Sequence, residues 1–142
     1  MGTLTMDTRE REEFLAATHI AVISINRMGG APPLATPVWY GYTPGGDITV
    51  LMEPTPLKCR LLLASGGFTL TVQNEEYPYS YVSVSGDATV DNTPRYEDIF
   101  AISRRYRPES EATAFADASF QSSEVLARMR PTAWFSQDYT KL

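Results

Sequence analysis

One cysteine, Cys59, and one histidine, His19, leave this 142-residue chain little material for several kinds of chemistry. A single thiol excludes an intrachain disulfide and any cysteine-based metal cluster. Lying between Lys58 and Arg60, Cys59 reads either as an activated thiol or, the simpler expectation, as a buried and inert helix cysteine. His19 precedes the apolar run Ile20–Ile25 with no evident partner, and a structural histidine is expected before a general base or a metal ligand. Positive charge is also short: 12 Lys and Arg against 17 Asp and Glu give a net charge of −5. That balance argues against a general nucleic-acid role, which draws its affinity from cations on phosphates. No apolar run approaches the length of a bilayer span, and the first residues lack a basic segment followed by a hydrophobic one. The expectation is a soluble, cytoplasmic protein. Catalytic signatures are missing too: there is no G-x-S-x-G elbow, H-E-x-x-H pair or Walker loop, and Gly29-Gly30 and Gly45-Gly46 read as turns.

A 43% hydrophobic composition without repeats or low-complexity tracts specifies a globular chain, and its length suits one domain over residues 1–142. Asp7 and Glu10 have capping-box spacing, predicting a short helix to about Thr18. Two strands follow, His19–Asn26 and Leu34–Tyr42, as a hairpin. The turn Pro44–Asp47 then leads to Ile48–Met52, predicting a three-stranded meander. Strands are also expected at Phe68–Gln73 and Tyr79–Val90, the latter with a bulge at Gly86. Asn92 or Thr93 is predicted to cap a helix ending near Arg107, with a second helix over Pro108–Ala118. The tail Glu124–Phe135 closes the sheet with a break at Pro131. The fold class is α+β, mainly β, with six largely antiparallel strands in a small closed or nearly closed barrel.

The segment after Met52 carries the strongest local hint of function. Thr55 suits an N-cap, Pro56 the first helical position, and Gly66-Gly67 the stop. Lys58 then occupies the first turn, where the helix dipole disfavours a cation by about 0.3–1 kcal/mol. Free N–H groups with Lys58 and Arg60 form a candidate anion cradle. The alternative is two solvated residues on a helix face.

The order Thr36-Pro-Val-Trp-Tyr40, Gly45-Gly-Asp-Ile-Thr-Val50, Lys58-Cys-Arg60, Phe68-Thr-Leu70, Glu75–Tyr79, Tyr81–Gly86 and Arg130-Pro-Thr-Ala-Trp134 resembles the pyridoxamine 5′-phosphate oxidase-like split-barrel superfamily. More narrowly it is similar to the B branch of the flavin/deazaflavin-dependent oxidoreductases. The resemblance implies a six-stranded, FMN-binding-like split β-barrel homodimer with cofactor sites between the subunits. It implies phosphate contact from Lys58, with Arg60 and Thr55 nearby. Thr36, Pro37, Val38 and Trp39, together with Leu51, Met52 and the loop on to Thr55, would line the ring and ribityl chain, and Tyr79, Tyr81 and Trp134 would either approach from the partner or form interface core. The arginine and lysine that true pyridoxamine phosphate oxidases place along Thr36–Tyr40 are absent, so vitamin B6 oxidation is not expected. Pro56 and Leu61 stand where many relatives have Ser and Asn.

The implied function is hydride transfer between F420 or FMN and a small conjugated substrate. No catalytic residue or metal site is assigned; Tyr40, Tyr42, Tyr79 and Tyr81 are candidate proton donors. The alternatives are a flavin- or haem-binding storage or sensing module and a cofactor-free structural dimer.

Overall fold

Asp7 starts the first helix by the exchange its spacing predicts. Its carboxylate accepts the Glu10 N–H at 2.8 Å, and the Glu10 carboxylate accepts the Asp7 N–H at 3.0 Å. The computed structural model describes residues 3–53 and 56–142. This helix, α1 (Thr8–Ala16), has its last carbonyls covered from elsewhere in the chain. The Tyr40 hydroxyl donates to Leu15 O at 2.6 Å, and the Arg105 guanidinium donates to Ala16 O and Ala17 O at 3.1 and 3.2 Å. These are the acceptors a helix end leaves unsatisfied.

Strands β1 (Ala21–Ile25) and β2 (Leu34–Val38) form the predicted hairpin, with Ile23 opposite Thr36. The predicted meander ends there. Strand β3 (Ile48–Met52) pairs instead with the distant β6 (Val125–Met129), and among the described residues a single bridge, between Gly41 and Thr49, joins it to the chain leaving β2. The cause lies in Trp39 and Tyr40. Tyr40 N donates to the Tyr106 hydroxyl at 3.2 Å, its own ring is fully buried capping α1, and Trp39 stacks on Tyr106, so β2 stops at Val38.

Helix α2 (Pro56–Ser65) follows β3 and stops where expected: Gly66 adopts φ 77° and donates to Leu62 O at 2.8 Å. Strands β4 (Gly67–Asn74) and β5 (Ser80–Asp91) form a long antiparallel ladder. Helix α3 (Tyr96–Tyr106) begins later than predicted, with Arg95 rather than Asn92 or Thr93 at its cap, because Asp91 takes the Thr93 N–H at 2.9 Å. Helix α4 (Glu109–Gln121) runs past the predicted end at Ala118.

The tail makes two strands, β6 and β7 (Ala133–Asp138), so the described residues hold seven strands rather than six. All pairs are antiparallel, in the order β2-β1-β4-β5-β6-β3, with β7 also on β5. Strand β5 gives residues 80–85 to β7 and residues 88–91 to β6. The register leaves Gly86 and Asp87 facing Arg130, Pro131 and Thr132, so the extra residue lies on the opposite side and not at the predicted Gly86 bulge. Gly86 marks the corner itself: a Cβ there would run into the Arg130 carbonyl oxygen.

The result is a mainly-β α+β fold with a curled antiparallel half-barrel. Its interior is filled by Ile23, Ile25, Val50, Leu70, Val72, Val82, Val84 and Met129, closed by Leu15 of α1 and Leu62 of α2. Among the described residues no helix is long and apolar enough to cross a membrane.

Candidate functional site

The ends of β2 and β3 and the first turn of α2 converge on a cleft of about 330 Å³. Pro37, Val38 and Trp39 line one part of it, and Leu51, Met52 and Glu53 another. Lys58 enters from α2 as its third residue, half-buried. None of the ion pairs among the described residues involves Lys58 or Arg60. Arg60 is exposed and does not line the cleft, because two residues turn the helix by about 200°. Thr55 lies outside the described residues. Leu61 is 7% exposed within the core, so it faces away from any ligand.

Thr36 does not line the cleft, but its Oγ1 is buried without a hydrogen-bond partner. Tyr79 and Trp134 lie elsewhere in the same chain. Tyr79 is half exposed, edge-on to Tyr77 at 5.6 Å. Trp134 lies under the Arg11 guanidinium at 4.6 Å, in a separate depression of about 290 Å³ shared with Tyr42 and Arg130. Tyr81 packs against Phe135 at 6.2 Å.

Three cleft residues escaped the sequence reading: Ile102 of α3, Phe115 of α4 and Glu124 of the turn after it. Trp39 stacks nearly parallel on Tyr106 at 4.9 Å and meets Phe115 at 5.2 Å and 42°. The available signal was the helical stripe Ala112, Ala116 and Ser119, all buried, which places the neighbouring Phe115 at the edge of the packed face.

The titratable groups sort into structural roles. Tyr40 is no proton donor: its hydroxyl is spent on α1 carbonyls, and burial holds its pKa well above the ordinary tyrosine value. The Tyr106 hydroxyl donates to His19 O at 2.6 Å, and burial raises its pKa as well. His19 stacks on Phe14 at 4.6 Å with Nε2 3.0 Å from Phe14 O, the structural role expected of it. Burial lowers its pKa. Cys59 is a free, half-buried thiol. No group of three His, Cys, Asp or Glu among the described residues is placed to hold a metal ion.

No protein-family model and no curated protein matches the sequence. Solved structures do match. A conserved hypothetical protein from Mycobacterium tuberculosis superposes with a TM-score of 0.82 at 18% identity, over 99% of this chain and 90% of its own. An F420 reductase gives 0.70 at 21% identity, over 87% and 94%. An FAD-binding protein from Mesorhizobium loti gives 0.60 at 18%, over 93% and 92%. At these identities the likeness concerns architecture, and the chain shares the split-barrel fold of these proteins.

Proposed function

We propose that the cleft holds a flavin-type cofactor, F420 or FMN, with its phosphate at the first turn of α2. On this reading the protein is a homodimeric oxidoreductase passing hydride between that cofactor and a small conjugated substrate. The observation that carries the reading is the convergence of Lys58 with apolar and aromatic walls in one cleft. The residues present suit such a group. Lys58 is a half-buried cation with no ion pair among the described residues, at the helix end where an anion is stabilised and a cation is not. Val38, Leu51 and Met52 are suited to keeping water from a planar ring, and Trp39 is held in place by its stack on Tyr106.

When bound, the isoalloxazine or deazaflavin ring supplies the hydride chemistry. The work of this chain is to bind, orient and exclude water, and no side chain is assigned a proton transfer. An F420 reductase among the structural neighbours favours F420, while the net charge of −5 favours the shorter anionic grip of FMN.

Titration of the purified protein with FMN and with F420, followed by absorbance, tests the reading. Lys58→Ala is expected to weaken binding by about 1.5–3 kcal/mol, roughly 10- to 150-fold, the cost of a lost charge-assisted phosphate bond. Unchanged affinity in a folded variant would remove Lys58 from the phosphate site. Failure of both cofactors to bind would overturn the proposal. A cofactor that binds and reduces no acceptor would leave a storage or sensing module.

A further inference from the structure

Beyond the cofactor, the cleft has walls that nothing so far employs: Phe115, Glu124 and Glu53. Phe115 projects from α4 and stays 43% exposed although it meets Trp39 at 5.2 Å. Its remaining surface is therefore open to a second occupant. The two carboxylates flank the end of one ladder. The β3–β6 pairing ends with Met52 opposite Val125, and Glu53 and Glu124 are the next residue on each strand, both on the cleft wall. No ion pair among the described residues involves either one, and the Glu124 carboxylate accepts a hydrogen bond from the Ser122 hydroxyl at 3.1 Å. Once Lys58 is committed to a phosphate, the charge left on the cleft wall is negative.

An aromatic face beside unpaired carboxylates is the chemistry that recognises a flat cation. The ring quadrupole and the carboxylates attract the same sign of charge, and the ring adds stacking area that a compact metal ion would not use. We propose that the second occupant of the cleft, the substrate, is a planar aromatic cation. Phe115 is its stacking surface, and Glu124 with Glu53 sets its charge. The inference rests on the cofactor reading for its use of Lys58, and the test separates the two.

Three probes of similar size and different charge are titrated with and without saturating FMN, reading intrinsic tryptophan fluorescence and heat: N-methylquinolinium, neutral quinoline and 2-naphthoate. The cation is expected to bind about tenfold tighter than the neutral probe, with the anion weakest. Glu53→Gln combined with Glu124→Gln is expected to remove that preference while leaving quinoline unchanged. Phe115→Ala is expected to weaken the cation about tenfold, with recovery in Phe115→Trp. Phe115 is partly exposed on a helix surface, so these variants retain the core. Equal affinity for cation and anion overturns the proposal, as does an unchanged cation affinity in Phe115→Ala. FMN affinity is measured in the same preparations. FMN binding without a charge preference defeats only this inference, whereas absent FMN binding with the preference intact defeats only the cofactor reading.

Discussion

At the scale of single residues, the chain commits its few special side chains to holding elements together. His19 illustrates the consequence for pH. Burial, aided by the nearby Arg105 cation, lowers its pKa below the ordinary value of 6.5. The unfolded chain therefore binds a proton that the folded protein resists. The stabilisation is fully present above about pH 6.5 and is lost as pH falls toward the folded value. Urea unfolding between about pH 5 and pH 7 should show falling stability on the acid side, and His19→Gln should flatten that part of the profile. The lowered carboxyl pKa values of Asp7, held by the Glu10 backbone N–H, and Asp138, held by the Thr140 hydroxyl, act in a separate and more acidic window. A profile in His19→Gln as steep as in the parent would assign the slope to another group.

At the scale of elements, glycine positions distinguish space from conformation. At Gly86 a Cβ would meet the Arg130 backbone carbonyl, which has no flexible side chain to move aside. Gly45 has open space around it and a φ of 81°. Gly86→Ala is expected to cost about 3 kcal/mol or more, and Gly45→Ala about 1 kcal/mol, read as urea midpoints at constant slope. Equal costs would mean that the corner yields. The same elements show what sequence reasoning reaches. The alternation in residues 80–84 groups Ser80, Val82 and Val84 on one face, and the structure buries that face, because a period of two reports which residues share a side. It does not report the partner. Strand β3 went to β6 because Trp39 and Tyr40 are claimed by Tyr106, 66 residues beyond Tyr40. The cleft divides likewise. The helix start at Lys58 was legible from neighbours in sequence, but Phe115 and Glu124 reach the cleft only through the way α3 and α4 fold back.

At the scale of the whole molecule, one row of residues crosses five strands on the outer sheet face: Pro37, Val22, Thr71, Ser83 and Phe135. Val22 is 39% and Phe135 58% exposed, and the Thr71 hydroxyl donates to Ser83 Oγ at 3.3 Å. A row with apolar ends and a neutral middle suits a self-complementary contact, as the proposed homodimer requires. Light scattering should give twice the 15.8 kDa chain mass, and Phe135→Glu should shift it toward one. A monomer at all concentrations would withdraw Tyr79, Tyr81 and Trp134 from any shared site. Within one chain, β5 sets how the molecule opens. It pairs with β4 along one edge and with both β7 and β6 along the other, so its release breaks three ladders at once. Release of β5 as a whole is the event that spans the corner, and in it amides as far apart as Val82 and Val90 should become exchangeable together.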